Sequence, residues 1–468
     1  MKIVFLLLSI ATLQLSAGLK NLTLVNALTI LEKSNLEVKV SRYEESMKKF
    51  DIAKVNAKSF GTIDISVTAM RSNDPGNVFG FKVQSREASF ADFGFDQFLS
   101  PLGGALMKAN SGALTMQDLS NMSSILSIEP TKLNYPEARN HYITKATFKI
   151  PLFTGGMLNS YKQITTKLYE MSKLDTAKVL ALKRFELKKA FYNVGLVNSY
   201  ISNLYSIKKN IKKLERVIKE MQKEGYAVET DYLEVDAKLA EVAAMLNEAK
   251  LNKELAYQFI SFLLNRDVET VRAPRSAPTT PHITQEIVES RSLDIAKAKL
   301  GLKITKDAEG VEKAKFLPKI GAFAEYGYAD NRLVPKKISQ KDFYNVGVKA
   351  SWNIFNGGAD MASLEKAKLN RLKVATQVVL AKKGMWLKAN KLKSEVRTFK
   401  SQVRSYQKQY RFSKKVYDTY KAKYKEGVVS ITDLLVKQSK EIEVLLKLLD
   451  VKNKRNAKIL ELENLING

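Results

Sequence analysis

The side chains that most often carry out catalysis are scarce and scattered in this sequence. Its 468 residues include no Cys and only two His, His141 and His282. The lack of Cys excludes disulfides, thiolate metal ligands and thiol catalysis. The sequence also lacks the HExxH pair of zinc peptidases, the P-loop of nucleotide-binding proteins and the nucleophile elbow of serine hydrolases. We therefore expect no catalytic residues, no cofactor and no metal site, and the protein is not expected to be an enzyme.

The charged side chains indicate solvated helix surfaces. The chain has 77 Lys and Arg against 48 Asp and Glu, a formal net charge of +29. Such a charge is typical of nucleic-acid-binding proteins when the cations cluster on one module. Here the lysines are spread along helical patterns, as at 208–209 and 382–383, and carboxylates at helical spacing can pair with them. No nucleic-acid partner is expected.

Glycine pairs occur twice at the ends of predicted strands. Gly155 and Gly156 have copies at Gly357 and Gly358, with an offset of 202 residues. Phosphate-binding turns also place glycines between a strand and a helix, but the other glycines of a nucleotide fingerprint are missing. We interpret both pairs as strand-to-helix bends.

Two single glycines interrupt long helical patterns with the same offset. Residues 223–225 and 425–427 both read Lys-Glu-Gly, and a Thr-Asp pair follows each, at 230–231 and 432–433. The Gly ends one helix, and the Thr or Asp side chain can cap the next by accepting its free amides. The sequence therefore predicts two helical hairpins related by an internal duplication.

Heptad patterns predict that these hairpins are coiled coils. The first seam is aliphatic and the second uses tyrosines, which we interpret as a packing seam rather than a surface for stacking ligands. The first seam includes Leu204, Ile207, Ile211, Leu214 and Ile218, and the second includes Tyr406, Tyr410, Tyr417, Tyr420 and Tyr424.

Four segments alternate between apolar and polar residues, the pattern of strands with two different faces. They lie at 62–69, 144–152, 320–328 and 344–354. Each is near the length of about 9–11 residues with which a tilted strand crosses a bilayer, although a sheet half buried on soluble helices shows the same pattern. Four strands cannot close a membrane barrel and lipid does not tolerate open edges, so a membrane form must oligomerise.

The N-terminal segment and the first repeat account for the first half of the chain. Residues 1–18 are basic, then apolar, then small, which predicts a secretory signal peptide. The first structural repeat, 19–271, is expected to contain a helix, a strand, a long exposed loop at 70–141, a strand and a helical hairpin with its tip at 223–231.

A Pro-rich linker at 272–281 separates the two repeats. The second repeat, 282–468, is expected to follow the same order of helix, strand and strand, with a short loop between the strands. Its helical hairpin has its tip at 425–433.

Taken in order, these segments resemble the TolC-type outer-membrane efflux family over almost all of the mature chain. The resemblance rests on the entry helix at 22–28, on 316–320 before the third strand, on the duplicated strand ends 151–156 and 352–358, and on the second tip at 427–433. Each motif is weak alone, but their order and duplication make the resemblance specific.

The resemblance implies a mainly helical protein with a membrane part. Long coiled-coil hairpins and four strands per chain would close, in a homotrimer, into a 12-strand barrel and a helical tunnel. It implies a place in the outer membrane of a Gram-negative bacterium, in contact with its lipid and extending into the periplasm. A periplasmic adaptor protein and an inner-membrane transporter are the implied partners.

The implied function is a passive duct for small-molecule efflux, of drugs, metals or other toxic compounds. The outer-membrane duct of type I protein secretion is an alternative within the same class. A secreted, soluble coiled-coil scaffold or adaptor is the alternative from another class, since it would share the hairpins.

The resemblance also implies roles for residues at the tips. Asp433 would line the tunnel entrance, Asp231 would take the matching place in the first repeat, and Tyr424 would help to hold the entrance shut by a hydrogen bond to Asp231. A threefold ring of carboxylates favours cations, whereas plain helix capping is the alternative role for both aspartates. The implied adaptor-docking residues are Gly225, Gly427, Val428, Ser430 and Thr432.

Two departures from the family pattern point to a less acidic and less tightly closed entrance. Val436 stands where some members have a further Asp, and Val429 stands where some have a basic residue. The first tip also lacks the small hydrophobic pattern of the family, so docking is expected to depend more on the second tip.

Overall fold

The computed structural model of the protein describes residues 18–467, except for the side chains of Met122, Ser123 and Asn467. Residues 1–17 of the predicted signal peptide lie outside the described residues.

Helices make up most of the described chain. In chain order they are α1 (Leu24–Ser34), α2 (Leu36–Ala57), α3 (Pro75–Gln84), α4 (Phe95–Asn110), α5 (Met116–Ile125), α6 (Thr131–Asn134), α7 (Met157–Lys223), α8 (Glu229–Leu264), α9 (Gln285–Arg291), α10 (Leu293–Lys313), α11 (Ala359–Lys425) and α12 (Ile431–Asn467). Short 3-10 helices lie at Lys58–Phe60, Phe90–Phe93, Ala314–Phe316 and Ile338–Gln340. The helices α7 and α11 both have 67 residues, and α7 with α8 and α11 with α12 form the two predicted hairpins.

The strands form two sheets. They are β1 (Leu22–Thr23), β2 (Thr62–Ser72), β3 (Arg139–Phe153), β4 (Val271–Arg272), β5 (Lys319–Asp330) and β6 (Asp342–Ser351). A short parallel pair joins β1 to β4, and the four long strands pair in the order β2-β3-β5-β6 with every neighbour antiparallel. The two repeats therefore meet at the centre of the larger sheet, between β3 and β5.

These long strands overlap all four predicted segments, but the last one ends early. Residues 344–354 were expected to form it, whereas β6 stops at Ser351. Ser351 pairs with Lys319, the first residue of β5, so no partner backbone continues the ladder beyond it. The next residue, Trp352, instead donates its indole N–H to the Phe316 carbonyl at 3.1 Å.

The segment 70–141, expected to be a long loop, contains the four helices α3 to α6. Local caps explain why helices form in a sequence rich in Gly and Ser. Asp74 accepts the Asn77 amide at 2.9 Å, with Pro75 at the first helical position, and Thr115 and Asp118 form a reciprocal capping box. A short helix at the start of 116–128 was expected and corresponds to α5.

The chain divides into two compact units that do not coincide with the two repeats. The described residues 18–50, 164–306 and 368–467 form the first unit, and 51–163 and 307–367 form the second. Each unit takes segments from both repeats, because equivalent elements of the repeats pack with each other.

The core of the first unit follows the predicted coiled-coil seams. Leu204, Ile211 and Ile218 of α7 are fully buried and pack in one cluster with Val235 of α8 and Leu434 of α12. Among the tyrosines of the second seam, Tyr417 is buried in this cluster, with Tyr420 and Tyr424 packed against it. The tyrosines therefore contribute to packing, as predicted.

Candidate functional site

Both hairpin tips have the same backbone turn. Gly225 and Gly427 have φ of +78° and +73°, in the left-handed region that favours glycine. The amide after each Gly bonds to the carbonyl five residues earlier, Tyr226 to Met221 at 2.7 Å and Val428 to Lys423 at 3.0 Å. Since this is the Schellman ending of a helix, the duplication extends to individual hydrogen bonds.

The return helix of the second hairpin is capped by Ser430. Its hydroxyl accepts the Asp433 amide at 3.0 Å and donates to the Asp433 carboxylate at 2.8 Å. In the first repeat Val228 takes the place of this Ser, and its amide donates to the Asp231 carboxylate at 3.2 Å. Both aspartates thus lie in the first turn of a helix, where the helix dipole favours negative charge.

A hydrogen bond connects the two tips. The Thr432 hydroxyl donates to the Glu234 carboxylate at 2.7 Å. Thr432 was expected as a possible cap of its own helix, but its hydroxyl is directed to the neighbouring hairpin. Beneath this bond Ile431, Leu434 and Val235 are buried together, so the two tips pack as one block.

Tyr424 lies half buried in this block, close to Asp231. Burial raises the pKa of the Tyr424 hydroxyl, and the charge of Asp231 raises it further. The phenol therefore stays protonated and can act as a hydrogen-bond donor.

The end of the block exposes apolar side chains. Gly225 and Gly427 are exposed, and the side chains beside them, Tyr226, Val228 and Val428, are 76%, 61% and 64% exposed. Sequence reasoning included Val428 but missed Tyr226 and Val228. Tyr226 could have been found, since it aligns with Val428 at the offset of 202 residues.

A buried carboxylate also lies on α12, and the sequence analysis did not predict it. Glu441 is 5% exposed and accepts the Gln438 side-chain amide at 3.3 Å. Burial raises the pKa of Glu441, the charge of Lys414 opposes that rise, and the charge of Asp418 adds to it. The heptad spacing could have predicted this burial, because Glu441 lies seven residues from both Leu434 and Leu448, which are buried.

The second unit presents one apolar and one polar sheet face. Along one ladder Ile65, Ala146, Tyr326 and Tyr344 are direct neighbours on the same face. The apolar side chains of this face are largely exposed: Ile63 73%, Ile65 77%, Tyr326 56%, Tyr344 77%, Val346 75% and Val348 66%.

The opposite face carries charged and polar groups. The neighbouring ladder places Thr147, Glu325 and Asn345 side by side. Lys145 pairs with Glu325 at 2.9 Å, and Thr147 and Asn345 donate to the same carboxylate at 3.3 and 3.4 Å. The two faces therefore suit different surroundings, one apolar and one aqueous.

The glycine pairs form the turns between β3 and α7 and between β6 and α11. Gly155 and Gly156 have φ of +64° and +85°, and Gly357 and Gly358 have +54° and +84°. A Cβ on Gly155 would lie 2.6 Å from the Ala314 carbonyl oxygen. Only glycine allows both the turn and this close approach.

Within residues 18–467, no helix is both long and apolar enough to cross a membrane. The same part of the chain contains no group of His, Asp and Glu placed to hold a metal ion. His141 is fully buried and stacks on Phe81 at 4.1 Å between ring centres, so its surroundings are those of a packed side chain.

Comparisons with known proteins show which family and which solved structures this chain is similar to. Residues 286–468, most of the second repeat, match the family model of the outer membrane efflux protein. No curated protein sequence matches the chain.

Solved structures share the fold over nearly the whole chain. CusC matches with a TM-score of 0.74 and 12% identity over 98% of this chain and 96% of its own. The CmeC outer membrane channel of Campylobacter jejuni matches with 0.71 and 15% over 95% and 85%. The MtrE outer membrane channel of Neisseria gonorrhoeae matches with 0.69 and 15% over 95% and 89%.

These matches support the mainly helical fold that the sequence predicted. The identities to the solved structures are low, so those structures show the fold alone, whereas the family match concerns residues 286–468. The predicted resemblance to the TolC-type outer membrane efflux family is confirmed for residues 286–468, and this match supports the outer-membrane location that the resemblance implies.

Proposed function

We propose that three copies of this chain form the outer-membrane channel of a tripartite export system. The channel is a passive duct for small molecules such as drugs, metal ions or other toxic compounds. A periplasmic adaptor binds the hairpin tips and connects the duct to an inner-membrane transporter, which supplies the energy.

The observation that carries the proposal is the larger sheet, which has two different faces and two open edges. Its exposed apolar face, from Ile63 to Val348, is costly in water and suits lipid. Its other face, with the Lys145–Glu325 pair, suits a water-filled interior. No strand among the described residues pairs with the outer sides of the edge strands β2 and β6, and lipid does not tolerate such unpaired backbone groups.

Strand direction supports closure between copies. Three antiparallel steps separate β2 from β6, so these edges run in opposite directions. The β6 edge of one copy can therefore pair in antiparallel fashion with the β2 edge of the next. Three copies supply twelve strands, enough for a closed barrel.

The first test determines the cellular location and the oligomeric state of the protein. Cells expressing it are fractionated, and the detergent-extracted outer membrane is run on a gel without heating. We expect a heat-sensitive trimer in this fraction. A soluble monomer or dimer in the periplasm would instead support a coiled-coil scaffold.

Cross-linking tests the proposed strand pairing directly, since the natural chain has no Cys. Ile65→Cys on β2 is combined in turn with Tyr344→Cys, Val346→Cys and Val348→Cys on β6, all on the apolar face. Oxidation of the pair in register should link neighbouring copies into covalent trimers, because a disulfide requires Cα atoms within about 7 Å. Ile65→Cys alone is the control. Failure of all three pairs in an intact trimer would contradict the closure.

A further inference from the structure

The loop between β5 and β6, residues 331–341, combines free cations with exposed apolar side chains. Arg332, Lys336 and Lys337 are exposed, and none of them pairs with a carboxylate among the described residues. Neighbouring ion pairs belong to other cations, Arg86 with Asp342 and Lys341 with Glu87. Interleaved with the free cations are Leu333, Val334 and Ile338, which are 52%, 71% and 46% exposed.

These cations border a cavity. A volume of about 370 Å³ is lined by Arg332, Lys336, Lys337 and Lys341 together with two carboxylates, Glu87 and Asp330. Both carboxylates already have partners within the protein. Glu87 accepts Lys341 at 2.6 Å and also bonds to Arg139, and Asp330 accepts the Asn331 amide at 2.7 Å. Because four cations line the cavity against two carboxylates, a positive charge remains available to a ligand.

Burial opposes ionisation of Glu87, but the hydrogen bonds from Lys341 and Arg139 outweigh it and lower the pKa of this carboxyl group. Glu87 thus stays ionised and holds Lys341 and Arg139. Arg332, Lys336 and Lys337 are the cations of this cavity that have no carboxylate partner in the part of the chain that the structure describes.

Aromatic residues near this loop indicate its position relative to the membrane. Tyr326 and Tyr344 are direct cross-strand neighbours at the loop end of the exposed apolar face. Tyrosine is typical of the boundary between hydrocarbon and water. At their other ends β3 and β6 lead to α7 and α11, which are periplasmic in the proposed function. On that function, the loop lies at the outer surface of the membrane, at the level of the lipid headgroups.

We propose that residues 331–341 bind the phosphorylated headgroup of an outer-leaflet lipid. Arg332, Lys336 and Lys337 contact the phosphates, and Val334 and Ile338 contact the acyl chains. The placement of the site rests on the proposed function. Arg binds phosphate through two parallel hydrogen bonds and Lys through its compact charge, and basic clusters beside apolar residues bind anionic lipid. A free phosphate would use the cations but gain nothing from the apolar side chains.

The test measures binding of bisphosphorylated lipid A to the detergent-purified trimer. One variant combines Arg332→Gln, Lys336→Gln and Lys337→Gln. Its matched control combines Lys400→Gln, Arg404→Gln and Lys408→Gln, three exposed cations of α11. We expect affinity to fall about fivefold for each cation removed from the loop, and on the order of a hundredfold for all three. The control should bind like the wild type.

A second variant separates a lipid from a free anion. Val334→Ser with Ile338→Ser should weaken binding of lipid A and leave binding of inorganic pyrophosphate unchanged. If both ligands bind equally well to wild type and to this variant, the site takes free anions and the lipid assignment is wrong. Equal losses in the loop variant and its control would overturn the site.

The two proposals fail in different ways. A wild-type chain that forms no outer-membrane trimer overturns the proposed function, and this site with it. A normal trimer that does not bind lipid A overturns the site alone.

Discussion

Individual side chains at the hairpin tips combine capping with a charge that faces solvent. Asp433 is exposed and accepts the Ser430 hydroxyl. The same carboxylate can therefore stabilise the helix within one chain and, in the proposed trimer, form part of a ring of three. The capping role rests on observed hydrogen bonds, whereas the ring remains a prediction.

Two substitutions separate these roles. In Asp433→Asn the side-chain oxygen can still accept the Ser430 hydroxyl, whereas Asp433→Ala loses this hydrogen bond to the capping residue, worth about 1 kcal/mol. Both should raise conductance or weaken cation selectivity in planar bilayers, but only Ala should lower the midpoint of thermal unfolding appreciably. Asp450→Asn, an exposed acid on the same helix, is the control. Unchanged currents in both variants would rule out the ring.

The bond between Thr432 and Glu234 gives a second prediction at this scale. Thr432→Val keeps the shape and removes the hydroxyl that connects the tips, which should cost about 1 kcal/mol. Amide hydrogen exchange in residues 425–435 should become faster. The duplication provides the control, because Thr230 is exposed at the equivalent position of the first repeat. Equal effects of Thr230→Val and Thr432→Val would mean that the bond does not connect the tips.

The helix α12 contains a charged residue at a position where α8, the equivalent helix of the first repeat, has an apolar one. Glu441 occupies a buried heptad position, and the first repeat has Leu239 there, packed against the core. From α11, Tyr410, Lys414, Tyr417 and Asp418 act electrostatically with it. The helix therefore gives up some packing stability at this point.

The raised pKa of Glu441 makes that cost depend on pH. The folded state binds the proton more tightly than the unfolded chain, so the unfavourable contribution is present above the raised pKa and fades as the pH falls towards the usual value of 4.5. Glu441→Gln should stabilise the protein by about 1 kcal/mol at pH 8. The difference in the midpoint of thermal unfolding between this variant and the wild type should shrink as the pH is lowered. A pH-independent difference would mean that Glu441 is not the titrating group.

For the whole molecule, the helical insertion in 70–141 can be separated from the strands that it connects. Gln97 bonds to the Thr131 side chain at 2.7 Å and to the Thr131 amide at 2.9 Å, so the two ends of the segment 97–133 lie close together. The links from the insertion to β3 and to the loop 331–341, Glu87 with Arg139 and Lys341, lie outside that segment.

Deletion of 97–133 with a short Gly-Ser joint should therefore leave the trimer intact. The unheated gel should show the trimer with a correspondingly smaller mass. A deletion that starts at residue 75 removes Glu87 as well and should assemble less well. Loss of the trimer in the shorter deletion would show that α4 to α6 are needed for assembly.

Much of this organisation was predictable because its signals are local or periodic. Alternation over 62–69 predicted β2, the Lys-Glu-Gly copies predicted both hairpin tips, and the heptad spacing around Leu204 and Tyr417 predicted the buried seams. Each of these depends on residues within a few turns or on exact repetition. Most of the helices in 70–141 were not predicted, because the composition of this segment is typical of loops. Single capping residues such as Asp74 and Thr115 stabilise helices there in spite of that composition.

The sequence by itself determined the duplication, the hairpins with their glycine tips, the strands with two faces and the family resemblance. Only the tertiary structure decided that β3 pairs with β5 across the repeats, that Thr432 bonds to Glu234, that Glu441 is buried and that free cations gather beside exposed apolar residues in 331–341. These features depend on contacts between residues far apart in the chain. Their free energies come from packing, desolvation and charge interactions between these distant residues, and a local sequence pattern carries no information about such contacts.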